Sequence, residues 1–339
     1  MAWEWKTDQE EVACWVEKAK KAEVSCLGHS AGGREIMLFA YGEAEKQQVK
    51  ANYGAACGGL DAKCYVDRSH KKPVVLLVGA VHGQETEGVA ALMHLLSLLE
   101  TGKDLNGEAN DALLEAVSRV RLLIVPLANP DGRARMKPQT IVGMTNDELR
   151  YWGQGTWKDG SLCGWPECKK VHPILEHAGF LGGYFNDDGV NLMHDQFFKP
   201  MAKETSILLE LMEAEQVDCV LQLHGGSNSM NALLQTAYVP LEINEAIAEL
   251  QKRCNEVGEL QGLPFSPTRI PGKESGETPP SFNLASAMHH VNGAISAVFE
   301  SNECIIDYPG PKQTREEIIR GHMILFEETC RMMAERQGQ

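Results

Sequence analysis

Four side chains in this sequence could build one centre for metal binding and proton transfer: His82, Glu85, His224 and Glu300. His82 and Glu85 stand three residues apart in Val81-His82-Gly83-Gln84-Glu85-Thr86-Glu87-Gly88, a glycine-containing turn. A neutral imidazole and a carboxylate at that spacing can reach one zinc ion from the same side. Alone, His-x-x-Glu is a weak signal, because Glu85 could equally be an acid placed against a helix dipole. The signal strengthens because several apolar runs end in such residues. His82 and Glu85 follow Val74–Val78, His224 follows Val217–Leu223, and Glu300 follows Ala294–Phe299. Two histidines and one carboxylate make a three-ligand zinc site with a position left for water. A further carboxylate beside that water would take its proton, and a nearby arginine would steady an oxyanion.

Positioning these groups requires strands whose ends converge. Val74–Val78 is a continuous β-branched and leucine run, which suits a strand buried on both faces, and Val89–Leu99 reads as a buried helix. In open α/β sheets, ligands bind past the carboxyl ends of the strands, where His82 and Glu85 sit. Ahead of this unit, Glu10–Ala22 reads as a surface helix and Ser25–Tyr41 as a hairpin. Gly42–Lys72 is polar and extends the hairpin or loops out. Asp111–Val117 reads as a short helix, and Arg121–Leu127 as a buried strand that stops at the turn Asn129-Pro130-Asp131-Gly132. Residues 134–188 lack periodicity, and loops that long are usually functional. Helices are expected at Lys203–Glu215, Leu241–Gly258, Ser281–His290 and Thr314–Gln337, and Pro264–Pro280 reads as a loop. The alternation specifies an α/β protein, with 1–339 read as a single domain whose core is about 26–328.

Composition narrows the function. The chain has 339 residues, 43% of them hydrophobic, ample for a sizeable core. A formal net charge of −15 argues against nucleic acid or an anionic membrane as partner. The polar N-terminus lacks the features of a secretory signal, and the ten cysteines read as reduced thiols, so a cytoplasmic location is expected. Cys163 and Cys168 could support a disulfide or a metal knuckle. No second cysteine pair completes a knuckle, so two free thiols in a loop is the favoured reading.

The motifs, taken in order, resemble the zinc metallocarboxypeptidases, the M14 peptidase family. Gly28-x-Ser30-x-x-Gly33-Arg34-x-Ile36 resembles the family's N-terminal hairpin, and His82-Gly83-Gln84-Glu85 its first two zinc ligands. Asn129-Pro130-Asp131-Gly132, Gly189-Val190-Asn191-Leu192, Leu223-His224 and Phe299-Glu300 resemble its later segments. The resemblance implies a mixed, twisted sheet sandwiched between helices. It implies one zinc ion per chain on His82, Glu85 and His224, with Glu300 as general base and then acid. Arg150, in Leu149-Arg150-Tyr151-Trp152, is the best match for the oxyanion arginine, with Arg135 as the alternative. Asn191, His194 and Arg135 are the candidates for substrate contact.

The departures bear on the substrate. The family continues Gly-Val-Asp-Leu with an Asn-Arg pair that grips a terminal carboxylate, and Met193 and His194 stand there instead. A thioether does not hydrogen-bond like an amide, and an imidazole lacks the guanidinium fork. The family's substrate-contacting tyrosine has no counterpart, because no tyrosine lies between Val239 and Glu300. The expected function is zinc-dependent hydrolysis of a peptide or peptide-like amide. The alternatives are a zinc deacylase of small amides, like the aspartoacylases, and a non-catalytic peptide-binding protein of the same fold.

Overall fold

The computed structural model describes residues 3–45, 55, 58–60, 72–269 and 281–336. Among them the strands are β1 (Glu23–His29), β2 (Glu35–Tyr41), β3 (Val74–Gly79), β4 (Arg121–Val125), β5 (Gly155–Trp157), β6 (Ala178–Leu181), β7 (Cys219–Gly225), β8 (Ala232–Leu234) and β9 (Ile295–Ser301). The helices are α1 (Gln9–Lys18), α2 (Glu87–Thr101), α3 (Asp111–Ser118), α4 (Pro130–Arg135), α5 (Asn146–Gly153), α6 (Lys203–Glu215), α7 (Leu241–Gln261), α8 (Leu284–Asn292) and α9 (Arg315–Arg336).

β5 and β6 pair as a small antiparallel ribbon, and the other strands form a seven-stranded sheet in the order β1-β2-β4-β3-β7-β9-β8. Its centre, β4-β3-β7-β9, is parallel, and β1, β2 and β8 add antiparallel edges. All six residues of β3 are buried because both faces are covered. Val75 and Leu77 enter one apolar cluster with residues of α2, α3, α7 and α9. Val74, Leu76 and Val78 enter a second with residues of α6 and α8. Each such side chain contributes about 1.5–3 kcal/mol by leaving water. The result is a mixed sheet between two helical layers, as the motif resemblance implied.

The sheet order positions the site. From β3 the chain moves first to β4 on one side, and later to β7 and β9 on the other. The carboxyl ends of β3 and β7 therefore flank a topological switch point, where a crevice opens. α2 begins at that crevice and is buried along nearly its whole length between the sheet and α9, which explains its apolar residues all round.

Several elements differ from expectation. α1 ends at Lys18, because Ala19 is extended and its N–H closes back on the Trp15 carbonyl. Asn129-Pro130-Asp131-Gly132 opens α4 rather than forming a free turn, with the Asn129 side chain accepting from the Gly132 N–H at 2.9 Å. Residues 134–188, without legible periodicity, contain α5 and the β5–β6 ribbon. This stretch has its own small core of Cys163, Cys168, Ile174, Tyr184 and Phe185. Both cysteines there are free and buried. Most of Gly42–Lys72, and residues 270–280 of Pro264–Pro280, lie outside the described residues. Among the described residues, no helix is long and apolar enough to cross a membrane.

Candidate active site

The loop after β3 leaves the sheet sharply. Ala80 adopts a left-handed conformation with φ of 48°, a strained geometry for a residue with a side chain. Its carbonyl accepts from the Asn129 N–H at 2.9 Å, which fixes the loop to the start of α4. Gly83 packs so closely on that helix that a Cβ would lie 2.2 Å from the Arg133 nitrogen. Only glycine fits there, and the contact aims His82 and Glu85 inward.

His82, Glu85 and His224 are buried, and each offers one donor atom within 4.8 Å of the other two. His82 Nδ1 lies 2.8 Å from Glu85 Oε1, and His224 Nδ1 lies 2.8 Å from Glu85 Oε2. The second approach lacks hydrogen-bond alignment, and Glu85 Oε2 has no hydrogen-bond partner among the described residues. A buried carboxylate set between two imidazole nitrogens, with one oxygen left without a hydrogen-bond partner, is a donor set that fits a divalent cation. Burial would raise Glu85, but the two imidazoles hold it down at about 2, so it remains a carboxylate. Burial lowers His82 and favours the neutral, ligating form. The far nitrogen of His82, Nε2, lies 3.1 Å from Asn191 Oδ1, and the Tyr184 ring stacks on the imidazole at 3.8 Å between centroids. Asn191 thus fixes which nitrogen carries the proton, and Tyr184 fixes the ring plane.

Glu300 lies on β9 directly beside His224 on β7, in parallel register. Burial pushes its carboxyl up to about 7, the range in which a carboxylate can both take and return a proton. Gly226 leaves it room, since a Cβ there would lie 2.8 Å from Glu300 Oε2. Glu303, three residues further on, is engaged elsewhere: its Oε2 accepts from the Ser227 N–H at 2.5 Å. Glu303 and the fully buried Glu87 both face Gly225, next to His224. Burial pushes Glu87 up to about 8, which keeps it protonated at neutral pH.

These groups open into a cavity of about 830 Å³, lined also by Arg150, Lys169, Tyr184, Met193, His194 and Tyr308. Arg150, on α5, lies within the lining, with Asp147 3.8 Å away as a loose partner. Arg135 does not line it. Its guanidinium is held by Asp187 and by the carbonyls of Leu181, Gly182 and Phe185, so it braces the ribbon rather than facing the cavity. Asn191 reaches His82 rather than the open space, and His194 forms part of the wall. Lys169, Tyr184 and Tyr308 carried no signal in the sequence. They come from irregular segments whose placement depends on tertiary packing.

Residues 15–258 match the family described as zinc carboxypeptidase. Human carboxypeptidase D is 34% identical over 79 residues, a match covering 22% of this chain and 5% of that protein. Among solved structures, a metallo-carboxypeptidase from Burkholderia cenocepacia aligns with a TM-score of 0.59 at 16% identity, covering 96% of this chain and 68% of that one. A Pseudomonas aeruginosa metallo-carboxypeptidase, solved with (2-guanidinoethylmercapto)succinic acid, aligns at 0.54 and 16% identity, covering 95% and 68%. Carboxypeptidase A from Helicoverpa armigera aligns at 0.52 and 14%, covering 98% and 74%. At these identities the structural likeness establishes the fold.

Proposed function

The chain belongs to the zinc carboxypeptidase family, and from that premise we propose that it is a zinc-dependent hydrolase of peptide or peptide-like amide bonds. The observation that carries this reading is the buried trio His82, Glu85 and His224 with Glu300 beside it at the mouth of one cavity. In this reading the trio holds one zinc ion, which when bound polarises the scissile carbonyl and makes water a better nucleophile.

The chain's own residues do the rest. Glu300 takes a proton from the attacking water at its carboxylate and passes it to the leaving nitrogen, a task suited to a carboxyl near 7. Arg150 offers guanidinium N–H groups to the oxygen that gains charge at the carbonyl, and its position in the cavity wall supports that role over Arg135. Asn191 and Tyr184 hold His82 in one tautomer and one plane.

The test is metal content and peptide turnover together. The purified protein is expected to hold one zinc per chain, to lose amide hydrolysis with a chelator and to regain it on zinc addition. His82→Ala is expected to lose the ion. Unchanged zinc stoichiometry in that variant would overturn the ligand assignment. Metal binding without turnover of any peptide or small amide would overturn the hydrolase reading and leave a binding protein.

A further inference from the structure

The cavity has cationic side chains from two sources, and they differ in how they are held. Arg150 has the Asp147 carboxylate near it. Lys169 makes no salt bridge among the described residues; it is an exposed residue on the cavity lining, partial desolvation lowers it from its ordinary value, and Glu300 in the same cavity acts on it the other way. Its Nζ lies 2.8 Å from His194 Nε2 and 5.0 Å from the Trp165 ring centroid. His194 is pushed down to about 3 by burial and by Lys169 itself, so the imidazole is neutral and its Nε2 accepts from the ammonium. Ser281 Oγ stands 3.4 Å from the other ring nitrogen. One ammonium is thus held at the cavity wall by an aromatic face and a neutral acceptor, with no salt-bridge partner within 4 Å among the described residues. Two further donors of that ammonium remain for something else.

We propose that Lys169 binds a carboxylate of the substrate, with His194 as the residue that positions it. The proposal rests on the reading of this cavity as a peptide-hydrolase site. It also accounts for the Met193-His194 pair. His194 does not contact the anion in place of a guanidinium fork; it presents a lysine from another segment, the 3₁₀ turn Glu167–Lys170. A single ammonium is a point charge without the planar geometry of a fork, so it accepts carboxylates in varied orientations. The carboxylate can come from a free chain terminus or from an acidic side chain.

Three peptides separate these sources: N-acetyl-Ala-Phe with a free terminus, its terminal amide, and N-acetyl-Ala-Glu amide. Calorimetric binding is measured in a Glu300→Gln background, so that none is consumed, with and without a chelator. The expectation is that one or both acidic peptides bind roughly 10- to 100-fold tighter than the neutral amide. Lys169→Met is expected to erase that preference while leaving the neutral amide unaffected, and Lys169→Arg to restore most of it. His194→Phe is expected to weaken the preference in part. Which acidic peptide loses affinity identifies the source of the carboxylate. A preference that survives Lys169→Met overturns the proposal, and one that disappears with the chelator assigns the carboxylate to the metal instead. Equal loss for all three peptides also overturns it, because that reports a collapsed wall. Because binding is read apart from turnover, a protein that shows the preference but hydrolyses nothing refutes only the hydrolase reading.

Discussion

His224 and Glu300 are register partners on the neighbouring parallel strands β7 and β9, although 76 residues separate them in the chain. The pleat therefore places the proposed ligand nitrogen and the proposed proton acceptor side by side without any loop to adjust them. A group held on a strand keeps its position better than one on a loop. Glu300→Gln is accordingly expected to lower kcat by roughly 10²- to 10⁴-fold. Zinc stoichiometry should stay at the wild-type value, since Glu300 is outside the trio. Steady-state kinetics and metal analysis on the same preparation check both parts.

On the proposed reading, the same carboxyl sets the pH dependence of the reaction. Burial raises Glu300 to about 7, and only its deprotonated form can accept a proton from water. The rate of peptide hydrolysis should therefore climb with pH through an acid limb near 7, and Glu300→Gln should flatten that limb in the residual activity. A limb at the ordinary glutamate value would assign the base to another group.

Asn191 should tune the metal without touching it. Its Oδ1 lies 3.1 Å from His82 Nε2 and accepts from the Met193 N–H at 3.0 Å. Asn191→Ala removes both contacts and is expected to weaken zinc affinity about 10- to 100-fold, read by competition with a chromogenic chelator. Asn191→Asp keeps the acceptor and should restore most of the affinity.

Gly83→Ala should be among the more damaging small substitutions. The added Cβ would lie 2.2 Å from backbone of α4, which has no room to withdraw. A loss of more than about 2 kcal/mol in urea unfolding is expected, with the metal removed so that binding and folding are read separately.

A pH effect on stability is expected from His322, whose ring packs edge-on against Phe299 of β9 at 5.2 Å between centroids. It is fully buried on α9, with Nδ1 2.8 Å from the Ile318 carbonyl and no partner for Nε2 among the described residues. Burial pushes it from 6.5 down to about 4. Between those values the unfolded chain binds a proton that the folded chain does not. Stability therefore falls as pH drops through that window, by roughly 3 kcal/mol when complete. Denaturant midpoints from pH 7 to 4 should show a shallower decline in His322→Leu.

The legible parts of the sequence were those whose physics is local. β3 and α2 could be read because the strand buries every side chain and the helix all but its last two, leaving a continuous signal. His82, Glu85, His224 and Glu300 could be read because each follows or ends such a run. Residues 134–188 could not, because β5 and β6 are held by each other and by a core that includes two cysteines, not by any period of their own. Arg135 and Arg150 looked alike in sequence, and only tertiary packing separates a bracing guanidinium from one in the cavity wall. Lys169 gave no sign at all, since a lysine in an irregular segment reads as solvated surface.

The small core of Cys163, Cys168, Ile174, Tyr184 and Phe185 is distinct from the two clusters that flank the sheet. The wall that carries Trp165 and Lys169 is thus packed on a core of its own and meets the His82 ring through Tyr184. A change of residues in that wall leaves the strands that carry His224 and Glu300 in place, so long as Tyr184 is kept. On the proposed reading, a different substrate preference can arise from this one wall while the strand-borne groups beneath it stay as they are.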